Sequence, residues 1–279
     1  MKRAIGLEHL TLLHLPPPEL VTLAAAAGFD TVGLRVAPVT PDEDTWPLYP
    51  GSPMLAETRR RCTDTGVSVH AVEAIALAPG SVLAGKERVI ETAAALGARY
   101  LNVICDDPDT GRFTELLTEL VATAREAGVR PVIEFTAYRP ISRLADAVAI
   151  AVQTGSGILL DSLHIQRCGA SVADIAAVDP GLLTYLQVCD APLEQPHGLR
   201  APAAAPRGQH DAADDDRVLE ARTMRLMPGE GQLPLRALLA CLPADMLVSV
   251  EAPSAAALAA LSPGGYAARA RHAVRLLAG

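Results

Sequence analysis

The sequence predicts one α/β domain, a (β/α)8 TIM barrel that spans residues 1–279. First, eight short aliphatic runs alternate with eight longer amphipathic segments. Second, the aliphatic runs are continuous, which is typical of parallel strands covered on both faces. Third, several predicted helices close on a glycine before the next strand, as in "AAAAGFDTVGL" and "AAALGARYLNV". A doubly wound open sheet is the alternative, disfavoured because no G-x-G-x-x-G follows the first strand.

The elements follow one another in a regular order. The predicted strands cover residues 4–7, 31–34, 67–72, 100–104, 131–134, 157–160, 184–188 and 247–250. The predicted helices cover roughly residues 17–27, 53–65, 81–97, 111–127, 140–154, 171–178, 232–241 and 263–278. Eight strand–helix pairs are the number that a closed parallel barrel requires.

One segment departs from this alternation. Residues 190–231, between strand 7 and its helix, are rich in Pro, Ala, Asp and charge. A loop of this length is unusual in a compact domain. It is either a solvated insertion, partly disordered around residues 200–215, or a lid, because βα loops border the active-site face of a barrel.

Composition narrows the class of partner. The formal net charge is −8 with no basic run, so nucleic acid is not an expected partner. No apolar run reaches the length of a membrane span, and no signal peptide is apparent, so we expect no membrane partner and a cytoplasmic location. Five cysteines without a C-x-x-C favour neither a disulfide framework nor a structural zinc site.

Oxygen-bearing side chains stand near the ends of the last four predicted strands: Glu134 in "PVIEF", Asp161 in "GILLDSLH", Gln187 in "YLQVCDA" and Glu251 in "LVSVEAP". The carboxyl ends of barrel strands form the catalytic face. Carboxylates that converge there repel one another unless a cation lies between them, and hard oxygen ligands suit Mg²⁺ or Mn²⁺. Any one of these residues could be a helix N-cap or a salt-bridged strand end. Their combination favours a metal site.

The order of these residues, with an Asp-x-x-His after strand 6, resembles the xylose-isomerase-like TIM-barrel superfamily. That group contains sugar and sugar-phosphate isomerases and epimerases and related dehydratases. The resemblance covers nearly the whole chain and rests on "VIEF", "LLDSLHIQR", "LQVCDAP" and "VSVEAP". It implies that Glu134, Asp161, Gln187 and Glu251 bind one divalent metal ion. It also implies that Glu134 and Glu251 act as acid and base, with His164 at the substrate.

One position departs from the family pattern. Many relatives carry His where this chain has Gln187, a weaker and neutral ligand that favours Mn²⁺ or Mg²⁺ over Co²⁺ or Zn²⁺. Gln at this position resembles the 3-dehydroshikimate dehydratase branch of the superfamily.

Three functions stay open from the sequence. The first is an isomerase or epimerase that abstracts a proton next to the carbonyl of a small sugar-like compound. The second is a metal-dependent dehydratase, and the third is a non-catalytic barrel acting as a binding or subunit protein. An endonuclease of this fold is disfavoured by the acidic charge and the few strand-end histidines.

A further set of charged residues could contact a small-molecule substrate: His70, Glu73, Arg167, Glu220, Arg222 and Arg225. An arginine fork suits a carboxylate or a phosphate. Each of them could equally be a buried structural residue or a solvated charge. Glu8 and His9 follow strand 1 and could reach the same mouth. The aliphatic outer helices are compatible with a homo-oligomer.

Overall fold

The protein is described by a computed structural model, which covers residues 3–40, 42–203, 205, 208–209 and 215–278. Eight parallel strands form a closed barrel in chain order, and β8 pairs with β1. The strands are β1 Ile5–Leu7, β2 Thr31–Arg35, β3 Ser68–Leu77, β4 Tyr100–Cys105, β5 Arg130–Glu134, β6 Gly157–Asp161, β7 Leu183–Val188 and β8 Val248–Val250. The predicted TIM barrel is confirmed, and the open sheet is ruled out because the barrel closes.

All eight predicted helices are present among the described residues, and three further helices accompany them. The helices are α1 Pro17–Ala27, α2 Pro53–Thr65, α3 Glu87–Leu96, α4 Thr110–Glu126, α5 Leu144–Thr154, α6 Ser162–Arg167, α7 Val172–Ala176, α8 Asp216–Thr223, α9 Leu235–Cys241, α10 Ala255–Ala260 and α11 Pro263–Ala278. The helix predicted from residue 81 begins only at Glu87, because β3 continues to Leu77 and a turn follows it. The added helices α6, α8 and α10 are six to eight residues long, too short to show a helical period.

The barrel interior is filled in layers that also position the mouth. A small buried cluster inside the barrel comprises Ala71, Tyr100, Val132, Leu159 and Tyr185. Side chains two positions apart on a strand point to the same face. The next inward-facing positions toward the carboxyl ends are therefore Glu73, Asn102, Glu134, Asp161 and Gln187. Apolar packing inside the barrel thus ends in a ring of polar side chains at its mouth.

The segment after β7 contains secondary structure that the sequence did not predict. It contains helix α8, and short antiparallel bridges join Asp190 to Leu226 and Met224 to Ser254. Of the stretch 200–215 in which disorder was expected, residues 204, 206–207 and 210–214 lie outside the described residues.

Two further observations concern membrane spans and disulfides. Within the part that the structure describes, no helix is long and apolar enough to cross a membrane. The five cysteines are all free.

Candidate active site

A cavity of about 40 Å³ lies at the carboxyl ends of the strands. Its lining is strongly charged, with three glutamates and four arginines: Glu73, Glu134, Glu251, Arg35, Arg139, Arg222 and Arg225. This volume is close to that of one water molecule, about 30 Å³. Pockets for small molecules usually enclose some 300–1,000 Å³. A sugar-sized substrate therefore requires an opening of the mouth.

Arg225 lies between two of the predicted metal ligands. Its Nη1 donates to Asp161 Oδ2 at 2.5 Å, and its Nη2 lies 3.1 Å from Glu251 Oε2. The Nε group donates to the Ala221 carbonyl oxygen at 2.6 Å, which fixes the plane of the guanidinium. The side chain is only 2% exposed. A positive charge therefore already stands between carboxylates for which the sequence predicted a metal ion.

Glu134 and His164 form the neighbouring part of the site. Asn102 Nδ2 donates to Glu134 Oε2 at 3.1 Å, and His164 Nε2 lies 3.7 Å from Glu134 Oε1. Asp161 Oδ1 accepts the backbone N–H groups of Leu163 and His164, so this carboxylate is held as the N-cap of α6. Potential ligand atoms of Glu134, Asp161 and His164 all lie within 4.8 Å of one another. One metal ion could contact all three.

The pKa values reflect crowding of buried carboxyls. Burial raises the pKa of Glu134 to about 7, and the charge of Asp161 adds to that rise. Burial also raises the pKa of Glu251 well above its usual range, although Arg225 opposes it. For Asp161, burial is outweighed by Arg225 and His164, which lower its pKa. Burial lowers the pKa of His164 to about 4, so its imidazole is neutral at pH 7. Burial thus favours the protonated forms of Glu134 and Glu251, whereas Arg225 and His164 favour the ionised form of Asp161.

Gln187 provides the observation that bears most directly on a metal ion. Its Cα is paired with that of Asp161 in the sheet, and the residue is 1% exposed. It lies beside Glu8: burial raises the pKa of Glu8, and Gln187 opposes that rise. Neither polar atom of the Gln187 amide makes a well-formed hydrogen bond within the described residues. Unpartnered buried amides are rare and costly. A free amide oxygen beside Asp161 fits a hard divalent cation.

A second charged cluster lies on the β1–β3 side of the mouth. His70 Nε2 lies 2.8 Å from Glu8 Oε1, and Arg35 Nη2 lies 3.5 Å from Glu73 Oε2. Burial raises the pKa of Glu73 to about 8; Arg35 opposes the shift and the neighbouring Glu8 adds to it. The proximity of these two buried carboxyls favours the protonated form of Glu73. Gly33 makes room for them, because a Cβ there would overlap Glu8 Oε2.

Three of the six predicted substrate-contacting residues border the cavity: Glu73, Arg222 and Arg225. The other three lie elsewhere. Arg167 donates to both carboxylate oxygens of Glu220, at 2.8 and 2.6 Å, and also to the Leu193 carbonyl oxygen. This buried pair joins α6 to α8 and does not line the cavity. His70 sits deeper in the barrel, with its ring 5.1 Å from that of Tyr185.

The residues of the mouth that the sequence-based set missed include Arg35, Asn102 and Arg139. Arg35 is the last residue of β2, and Asn102 lies in β4 on the inward face. Both obey the rule that selected Glu134, because they occupy inward positions near the carboxyl end of a strand. The first four strands would have yielded them had that rule been applied to every strand.

Residues 21–277 match the family model described as Xylose isomerase-like TIM barrel. The chain therefore belongs to this family. A comparison with curated proteins found no match.

Many solved structures share the fold. One of them is a xylose isomerase-like TIM barrel/4-hydroxyphenylpyruvate dioxygenase fusion protein, with 22% sequence identity and a TM-score of 0.76. The match covers 99% of this chain but only 43% of the fusion protein. The IOLI protein with a bound zinc atom is 18% identical with a TM-score of 0.74, covering 100% of this chain and 98% of that one. D-Psicose 3-epimerase is 15% identical with a TM-score of 0.71, covering both chains completely.

Other similar structures include further epimerases and a probable 3-DHS dehydratase, AsbF, from Bacillus anthracis, at 13–18% identity. At these identities the likeness shows the fold alone.

Proposed function

We propose that this protein is a divalent-metal-dependent isomerase or epimerase that acts on a small sugar-like carbonyl compound. The observation that carries the proposal is the pairing of Glu134 and Glu251 at one cavity. Both carboxyls are buried, both have raised pKa values, and they approach from β5 and from the end of β8. Two such groups suit removal of a proton next to a carbonyl and its return at a neighbouring carbon or the opposite face.

Glu134, Asp161, Gln187 and Glu251 would hold the metal ion. Their donors are all oxygen atoms, which favours Mn²⁺ or Mg²⁺ over Co²⁺ or Zn²⁺. A bound divalent ion would polarise the carbonyl and hydroxyl oxygens of the substrate and offset negative charge that develops on them. Arg225 contacts two of these carboxylates, so its guanidinium competes with a metal ion for them.

The neighbouring side chains have separable tasks. Asn102 engages Glu134 Oε2, which leaves Oε1 beside His164 to receive a proton. A pKa of about 7 keeps a substantial fraction of Glu134 ionised near neutral pH. Glu251, with its raised pKa, is suited to return a proton. The neutral imidazole of His164, whose Nδ1 makes no hydrogen bond within the described residues, can orient a substrate hydroxyl.

A dehydratase of the 3-dehydroshikimate dehydratase type is the second candidate. Gln187 favours it by resemblance, and the four arginines around the cavity favour an anionic substrate. The same proton abstraction would then be followed by departure of a β-hydroxyl, with Glu251 as the acid. A non-catalytic barrel is the outcome if neither reaction occurs.

We also infer that segment 190–231 acts as a lid over the small-molecule site. Gln209 is fully buried and donates from Nε2 to the Leu10 carbonyl oxygen at 3.2 Å, while Thr40 Oγ1 donates to the Gly208 carbonyl oxygen at 2.6 Å. Arg222, from the same segment, borders the cavity. Release of these contacts would enlarge it. A cytoplasmic location and a homo-oligomer accompany the proposal as expectations.

The test is a screen of ketoses and of 3-dehydroshikimate with Mn²⁺-reconstituted protein in D₂O. Deuterium incorporated into substrate or isomer supports the isomerase or epimerase, whereas loss of water detected by mass supports the dehydratase. Glu134→Gln and Glu251→Gln should abolish the signal, and Glu57→Gln on the outer helix α2 should keep it. Absence of exchange and of dehydration across the panel would favour the binding-protein alternative.

A further inference from the structure

A second cavity, of about 360 Å³, lies at the opposite end of the barrel, where the strands begin. Arg99 directly precedes β4, Arg130 is the first residue of β5, and Gly155 closes α5 before β6. Further lining comes from the carboxyl-terminal part of α4 and the turn after it: Val121, Arg125, Gly128 and Val129. The barrel therefore separates this basal pocket from the mouth.

The basal pocket is positively charged. Its lining contains Arg99, Arg125 and Arg130 and no acidic residue. None of the three arginines forms an ion pair with a residue that the structure describes, although the whole chain carries a formal charge of −8. Like charges brought together without a counter-charge repel one another, and a bound anion offsets that repulsion.

Contacts within the protein use few of the available donors. Arg130 donates from Nη2 to the carbonyl oxygens of Ser156 and Gly181, both at 3.1 Å. Arg99 lies over the Tyr100 ring, with 5.3 Å between its Cζ and the ring centroid. The guanidinium groups of Arg99 and Arg125 make no hydrogen bond to a described residue. Arg130 binds carbonyl oxygens, whereas Arg99 and Arg125 are exposed and keep their five N–H donors each for water or a ligand.

We propose that the basal pocket binds a small organic phosphate. Phosphoryl oxygens accept several hydrogen bonds from converging guanidinium groups. Val121, Val129 and Pro131, which are themselves buried, line the pocket and supply its apolar contacts. The volume lies within the usual range for small-molecule sites, about 300–1,000 Å³. The pocket is distinct from the candidate active site, and its occupancy would couple α4, α5 and the starts of β4 and β5.

Calorimetric titration of the full chain with inorganic pyrophosphate, and separately with inorganic phosphate, tests the proposal. We expect saturable one-to-one binding of pyrophosphate, tighter than that of phosphate and weakened by salt. Arg99→Gln and Arg125→Gln should each lower the affinity at least about tenfold, as loss of a charge-assisted hydrogen bond does. Arg59→Gln, an exposed arginine on α2, is the matched control and should not change the affinity.

A variant in the other arginine-rich cavity shows which of the two cavities binds pyrophosphate. Arg222→Gln, at the mouth, should leave pyrophosphate affinity unchanged. Loss of binding in Arg222→Gln but not in Arg99→Gln would overturn the proposal, as would equal loss in Arg59→Gln or no binding at low ionic strength. Tighter binding of a polyglutamate peptide than of pyrophosphate would instead identify a protein-docking surface. Circular dichroism of each variant separates loss of binding from loss of folding.

Discussion

Replacement of Arg225 by Met tests the electrostatics of the mouth directly. The substitution removes the guanidinium from between Asp161 and Glu251 and keeps much of the apolar bulk. The lost contacts are short and buried, at 2.5 Å to Asp161 and 3.1 Å to Glu251. Removing one partner of a buried ion pair costs about 3–5 kcal/mol. At about 2–4 °C per kcal/mol, the melting temperature in chelator should fall by roughly 10 °C.

A divalent ion should reverse part of that loss, because it supplies the missing positive charge. We expect Arg225→Met to bind Mn²⁺ more tightly than the wild type, since the competing guanidinium is gone. Binding at a hundred times the dissociation constant stabilises a protein by about 2.7 kcal/mol. Urea unfolding, followed by circular dichroism with chelator and with excess Mn²⁺, measures both effects.

The matched control is Arg167→Met. Arg167 forms a similarly buried pair with Glu220, with side chains 4% and 3% exposed, but away from the mouth. Arg167→Met should lose a comparable free energy of unfolding. Mn²⁺ should stabilise this variant no more than it stabilises the wild type. Equal restoration by Mn²⁺ in both variants, or restoration in neither, would refute the competition between Arg225 and a metal ion.

The remaining predictions concern catalysis, pH and packing. Glu134→Gln and Glu251→Gln should each lower kcat by about 10²–10⁴-fold with an unchanged circular dichroism spectrum; near-normal turnover would remove that residue from the acid–base pair. Glu73 has a pKa of about 8 when folded and about 4.3 when unfolded, so the folded state holds an extra proton between these values and stability falls as pH rises through them. Glu73→Gln should flatten this decline in urea unfolding measured from about pH 5 to 8, and an unchanged slope would contradict the assignment. Gly33→Ala should lower the free energy of unfolding by about 1–3 kcal/mol, because its Cβ would overlap Glu8 Oε2; wild-type stability would show that the carboxyl pair can move aside.

The fold was predictable because parallel strands buried on both faces give continuous aliphatic runs, and most runs end close to their observed limit; β3 continues to Leu77, beyond its predicted end at residue 72. Helices of six to eight residues escaped because they are shorter than the pattern that reveals a helix. Helix α6 begins where the Asp161 side chain caps it, a local signal present in the sequence. Helix α8 lies in a charged stretch, and its mean composition resembles that of a loop.

The candidate site was partly predictable for the same reason. Glu134, Asp161 and Gln187 stand two positions beyond buried residues of the barrel interior, so alternation along each strand places them at the mouth. The pairing of Arg225 with Asp161 joins residues 64 positions apart and follows from the path of the segment after β7, which no local pattern specifies. Arg167 pairs with Glu220 instead of lining the cavity, and this too follows from the tertiary structure.

The most direct test of a metal-dependent active site is the metal content of the purified protein, measured by elemental analysis before and after chelation and after reconstitution. We predict close to one divalent ion per chain in the wild type and a marked loss in Glu134→Ala, with Glu57→Ala unchanged. Absence of bound metal in the reconstituted wild type, or full occupancy in Glu134→Ala, would contradict the metal site proposed at this mouth.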